Sequence, residues 1–397
     1  MNRSAPARLI YLDNAATSYP KPPAVVERVA TSMTERGGNP GRGSHALALA
    51  AAEEIYACRA LAADFFGISA HPECVIFTLN TTHALNLAIK GMLGEGDHAI
   101  CSDMEHNSVL RPLYRLQTDG RITFDVFDTY PAAGRRDSPT APRRSDGMIL
   151  SSLASRITPK TKAVICAHAS NLCGATLPIE RIGAFCHARG IKFIVDAAQS
   201  AGVLGIDMTR MHIDALCVPG HKGLMGPQGT GMLILGEGIT LDTLMEGGNG
   251  MDSLSGEMSL EAPERYEAGT LAAPAIAGLR TGMEYVREVG VERIYRHEAT
   301  LGGWARDGLM ALPRVTVYAP RQAGGVVLFS VDGYDSEDVG RMLDAEGICV
   351  RPGFHCSALG HRTLGTPEGG AVRASFGWFN REEDVDALLR AMRRIVG

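Results

Sequence analysis

At 397 residues the chain is long enough to bury a large core, and its length predicts two structural units. Hydrophobic residues make up 45% and charged residues 21%, and the net charge is −5 with a pI near 6.2, a balance that fits an ordinary soluble enzyme and argues against a dedicated nucleic-acid binder. The opening M-N-R-S-A-P-A-R-L-I-Y-L-D lacks an apolar leader core, no run of 18 apolar residues exists, and nine cysteines lie without a C-x-x-C pair, so a cytoplasmic protein with reduced thiols and no membrane span is expected.

From about residue 74 to 235, short apolar runs alternate with helical patterns. Strands are predicted at 74–78, 98–102, 122–126, 163–167, 192–195, 215–218 and 231–235, with helices over 82–91 and 178–189 among them. This alternation predicts an α/β fold with a mostly parallel sheet covered by helices. Between Tyr130 and Gly147 three prolines and four arginines without apolar periodicity predict a solvated loop, with a basic docking patch as the alternative. The final third reads as strands at 315–318, 326–331, 347–351 and 371–376. A terminal helix follows, with Asn380 as N-cap, Glu383 completing a capping box, and Val385, Leu388, Leu389, Met392 and Ile395 on one apolar face. The expected division is a large domain over 20–285 and a smaller α+β domain made of 1–19 and 286–397.

Chemistry gathers where strands end. Six of the 39 Lys and Arg residues are lysine. Lys222 alone among them follows the carboxyl end of a predicted strand, in V-P-G-H-K-G-L-M-G, where open α/β sheets put their ligands. An amine there either is an exposed loop lysine or loses its proton and forms a Schiff base with pyridoxal phosphate. Asp196 in K-F-I-V-D-A-A-Q either caps a helix or salt-bridges a pyridine nitrogen, with Gln199 three residues on. Thr81 and Thr82 open a helix, so they either cap it or offer hydroxyls and free N–H groups to a phosphate. His106 follows another strand and either stacks on a ring, moves a proton or sits on the surface; Asn171 offers a polar contact. The G-x-x-G-x-G at 226–231 precedes a strand and is no dinucleotide fingerprint, and Gly41-Arg42-Gly43 is equally weak as a phosphate loop. In R-P-G-F-H-C-S-A-L-G-H, Cys356 stands in a polar loop near Arg351, His355, His361 and Arg362, positive neighbours that favour a thiolate. Arg373 in A-V-R-A-S-F either grips a carboxylate or serves as a structural ion-pair partner.

Together these segments resemble the cysteine desulfurases of the class V aminotransferase superfamily, within fold type I of the pyridoxal-phosphate enzymes. The resemblance runs from Y-L-D-N-A-A-T at 11–17 and N-P-G-R-G-S-H at 39–45 through D-A-A-Q, G-H-K and G-F-H-C to R-A-S-F-G-W-F-N at 373–380. The short segment before Arg373 is similar to the short-loop group, which also contains selenocysteine lyases. The resemblance implies a seven-stranded cofactor domain, Lys222 as the lysine that carries the cofactor, and Cys356 as the sulfur acceptor. It implies Asp196 on the pyridine nitrogen, Gln199 on the ring oxygen, His106 stacked on the ring, and Thr81, Thr82 and His221 at the phosphate. Thr270 would reach the phosphate of a neighbouring subunit in a homodimer. Ala15, His45, Asn171, Arg351 and Arg373 would form the substrate site. The implied reaction takes sulfur from L-cysteine, releases L-alanine and leaves a persulfide on Cys356. A separate acceptor protein would collect that sulfur for iron–sulfur assembly, tRNA thiolation or cofactor sulfuration. Alternatives are a selenocysteine or cysteine-sulfinate lyase, a class V aminotransferase, or a non-catalytic sulfur-transfer scaffold. Two positions depart from the pattern: Pro219 stands where a hydroxyl residue is common, and His83 where a glutamate often follows the threonine pair.

Overall fold

The runs V-I-F-T, A-L-C-V-P and G-M-L-I-L bury every one of their residues, as strands covered by helices on both faces must. In the computed structural model, which describes residues 9–41, 43–131, 143–250, 254–318 and 324–397, they belong to a seven-stranded sheet. Its order is Val75–Thr78, Gly231–Leu235, Ala215–Pro219, Lys192–Asp196, Thr161–Ala167, Asp97–Ser102 and Ile122–Phe127. Gly231–Leu235 runs antiparallel to both neighbours and every other pairing is parallel. Period-two alternation divides the core: Phe193 and Val195 join one apolar cluster, and Ile194 joins the cluster on the opposite face.

A second, four-stranded antiparallel sheet orders Arg351–Gly353, Ala371–Ser375, Val326–Val331 and Val315–Val317. Its core is separate, and Leu12 packs into it from the beginning of the chain. The strand expected over 347–351 is in fact two. Ile348–Cys349 pairs in parallel with Ile10–Tyr11, whereas Arg351–Gly353 pairs with Ala371–Ser375, so the chain changes partners at Val350.

The terminal helix corrects its expected cap. Glu382–Val396 begins after Arg381, and Asp384 rather than Glu383 reaches back to the Arg381 N–H at 3.0 Å. Asn380 is engaged elsewhere: its amide donates to the Tyr11 carbonyl at 3.0 Å, and its oxygen accepts from Asn14 and Gly377. It ties the two ends of the chain together. The expected loop over 130–147 gives way at its end to a helix, Asp146–Ala154, capped by Ser145; positions 132–142 and Arg42 lie outside the described residues. Among the described residues no helix is long and apolar enough to cross a membrane.

One buried ion pair fastens helix Ala46–Phe65 beside the edge strand. The Glu267 carboxylate accepts from both terminal guanidinium nitrogens of Arg59, at 2.9 and 2.8 Å, and from the Phe77 N–H at 2.7 Å. Removing the acid leaves a buried guanidinium uncompensated, so Glu267→Ala is expected to destabilise the fold by about 3–5 kcal/mol. Chemical denaturation checks this; an unchanged midpoint with an unchanged slope contradicts it.

Candidate active site

Five strands of the large sheet deliver their carboxyl ends to one cavity of about 210 Å³. Lys192–Asp196 ends on Asp196, Ala215–Pro219 runs into the G-H-K turn, and Thr161–Ala167 leads to Asn171. Asp97–Ser102 leads to His106, and Val75–Thr78 to Thr81 and Thr82. Ala15, Gln199 and His221 line the same space, and the smaller sheet contributes Arg351, Cys356 and Arg373. The sequence-predicted residues therefore converge, with two exceptions. His45 is exposed and caps helix Ala46–Phe65 by accepting the Ala48 N–H at 3.3 Å. Thr270 lines a different cavity, of about 740 Å³, beside Gly43 and Arg59.

Burial pushes the Lys222 amine down to about 8; Arg373 and Arg351 add to this and Asp196 opposes it. The turn that carries it is fastened by residues the sequence reading missed. Ser18 donates its hydroxyl to the Lys222 carbonyl at 2.8 Å, and the Lys21 amine donates to the His221 carbonyl at 2.7 Å. Lys21 is itself pushed down to about 8 by burial. Pro219 brings no hydroxyl, but Thr17 lies 3.1 Å from His221 Nδ1.

Asp196 caps no helix, because a turn and not a helix follows its strand. It accepts the Ala198 N–H at 2.8 Å and lines the cavity while only 4% exposed, and burial raises its pKa against the pull of Lys222. His106 caps the helix Asn107–Thr118: its Nδ1 accepts the Ser108 N–H at 3.0 Å, which leaves the proton on Nε2. Burial first, then Lys222, lowers its pKa to about 4, so the ring is neutral. Gln199 donates to the Ala15 carbonyl at 2.9 Å.

At the start of helix Thr81–Met92, Asn80 takes the N–H groups of His83 and Ala84. The Thr81 and Thr82 amides have no partner among the described residues, the condition under which a helix end holds an anion. His83 turns away from this anion site and accepts the Leu79 N–H at 3.3 Å. Behind His106, Glu105 is fully buried, accepts from Ser102 and from Ala167 N–H, and is pushed up to about 8 by burial. No local signal in the sequence marks it.

Arg373 is 3% exposed, donates to Asp13 at 2.7 Å and to the Asn171 carbonyl at 3.1 Å, and keeps a buried Nε with no partner among the described residues. It is an ion-pair partner of Asp13 that also lines the cavity. Cys356 is the one exposed cysteine among the nine; six are buried and two intermediate. The positive surroundings expected from its histidine neighbours are absent, because burial lowers His355 to about 3 and His361 to about 4.

The aminotransferase class-V family pattern matches residues 10–388. The chain belongs to that family. Among class-V relatives, a probable cysteine desulfurase of Methanothermobacter thermautotrophicus is 31% identical, over 98% of this chain and 95% of its own. A solved cysteine desulfurase from Thermococcus onnurineus NA1 superposes with a TM-score of 0.86 at 34% identity, over 98% of this chain and 94% of the other. The S-sulfonic acid form of a cysteine desulfurase from Escherichia coli gives 0.81 at 27% identity, over 98% and 96%. For a class-V aminotransferase fold, the cavity at the strand ends stands where ligands of open α/β sheets bind.

Proposed function

We propose that the protein is a pyridoxal-phosphate-dependent cysteine desulfurase. The observation that carries this reading is the meeting of a depressed lysine and an exposed cysteine, from two different sheets, on one cavity. The donor set suits the cofactor: the amides of Thr81 and Thr82, without partners among the described residues, with their hydroxyls and His221 for the phosphate, Asp196 for the pyridine nitrogen, the neutral His106 for the ring face, and Gln199 beside it. When bound, pyridoxal phosphate supplies an electron sink for the substrate carbon.

The chain's residues then have distinct tasks. Arg373, which lines the cavity, grips the substrate carboxylate, assisted by Asn171 and Arg351 near Ala15. Lys222 removes the Cα proton. The Cys356 thiolate attacks the substrate sulfur, the Cβ–S bond breaks, and the bonding pair stays with Cβ, which is protonated on the way to L-alanine. A persulfide remains on Cys356 for a separate acceptor protein, with iron–sulfur cluster assembly among its uses. The same reading gives a cytoplasmic homodimer in which Thr270 and His45 serve the partner's cavity, and a chain divided into a large domain over 20–285 and a smaller one of 1–19 with 286–397.

Mass spectrometry after exposure to L-cysteine tests the proposal. One added sulfur is expected on the peptide bearing Cys356; sulfur found solely on other cysteines overturns the assigned acceptor. Arg373→Gln is expected to lower kcat/KM by about 10- to 100-fold, the loss of roughly 1.5–3 kcal/mol that hydrogen bonds to charged groups contribute. Steady-state kinetics checks it, and an unchanged kcat/KM removes Arg373 from the carboxylate site.

A further inference from the structure

We propose that His361 is a positioning residue for Cys356, acting through His355 to hold the thiol-bearing turn in its left-handed shape. The inference rests on Cys356 being the sulfur acceptor. His355 and Cys356 are consecutive non-glycine residues at φ 51° and 55°, a backbone state that persists when its surroundings impose it. Part of that imposition comes from the large sheet. Asn171 donates to the His355 carbonyl at 2.9 Å, the Asn107 N–H to the Cys356 carbonyl at 2.8 Å, and the Ser357 hydroxyl to the Glu105 carbonyl at 3.0 Å.

The rest is a chain of side-chain hydrogen bonds whose direction is fixed. His355 Nε2 lies 2.8 Å from the Arg351 carbonyl, which accepts and cannot donate, so Nε2 carries the proton. His355 Nδ1 must then accept, and its partner at 3.1 Å is His361 Nε2, which donates. His361 Nδ1 in turn accepts from the Thr366 hydroxyl at 2.8 Å. The two rings lie 10° from parallel with centroids 5.3 Å apart, and they are 6% and 3% exposed. The chain thus links the segment after helix Ala358–Leu364 to strand Arg351–Gly353, straddling Cys356. Both ring nitrogens of His355 are engaged, so His355 is not free to take the thiol proton. Burial keeps both rings neutral, the state this bond order needs.

Cofactor-loaded His361→Phe, His361→Gln and Thr366→Val test this by quenched-flow mass spectrometry of the Cys356 peptide, with KM for L-cysteine and the visible spectrum measured alongside. His361→Phe keeps a buried ring but loses the donor. It is expected to slow persulfide formation by about 10- to 100-fold, the scale of a displaced reacting group, with KM within about twofold and the spectrum unchanged. His361→Gln restores a donor towards His355 Nδ1 and is expected within about threefold of wild type, and Thr366→Val slows the step by about three- to tenfold. A wild-type rate in His361→Phe, or a glutamine variant as slow as the phenylalanine one, or KM rising in step with the lost rate, overturns the proposal. If His361→Phe does not fold, Thr366→Val decides: a wild-type rate overturns it. Failure of the desulfurase reading shows separately, as wild-type enzyme that never carries sulfur on Cys356.

Discussion

Lys222→Ala is expected to lower L-cysteine turnover by ~10²–10⁴-fold, the contribution of a positioned general base. Burial carries the amine down to about 8, so a useful fraction is unprotonated near neutral pH. A base must be deprotonated, and that fraction grows as pH rises through about 8. The alkaline-rising limb of the wild-type rate is therefore expected to level off just above that value and to vanish in the variant. Hydride reduction supplies an independent readout: it is expected to fix the cofactor to the Lys222 peptide in wild type and to no peptide in Lys222→Ala. A variant that keeps both wild-type turnover and the rising limb would falsify the assignment. The Asp196 carboxylate keeps the amine from falling further, so Asp196→Asn is expected to move the same limb to lower pH.

Where strands end was legible because fully buried strands are short apolar runs, and Asp196 and the G-H-K turn stand directly after two of them. What lay out of reach was pairing across the chain. Nothing in Tyr19-Pro20-Lys21 announces that its amine holds a carbonyl 200 residues away, and A-V-R-A-S-F does not say that Arg373 binds Asp13, 360 positions earlier. Caps failed for a related reason. Asn380 is a good N-cap by residue type, but two tertiary hydrogen bonds, to Tyr11 and Asn14, and a local one from Gly377 claim its side chain, and the helix starts one residue later. The histidines near Cys356 misled in the opposite direction. Composition counts them as sources of charge, and only burial, a property of the folded chain, makes them neutral.

Cys356→Ser is expected to abolish persulfide formation and to lower alanine production by ~10³-fold or more, on the scale of removing a nucleophile. Serine has nearly the shape of cysteine, so the bonds from Asn107 and Asn171 that fix the turn remain. It lacks an accessible anion at neutral pH, which is what attack on a substrate sulfur requires. No other thiol is placed to substitute. Burial pushes Cys58 and Cys186 up to about 12 and Cys74 to about 11, raises Cys173 and Cys349, and drives Cys101, Cys166 and Cys217 well above their ordinary value. The same variant separates the rival chemistries. Selenocysteine lyase activity that survives Cys356→Ser, in an enzyme whose wild type shows no desulfurase activity, assigns the cavity to the lyase. Alanine released from L-cysteine at the wild-type rate by Cys356→Ser means that the sulfur leaves by some route other than this thiol, since the serine hydroxyl cannot carry it.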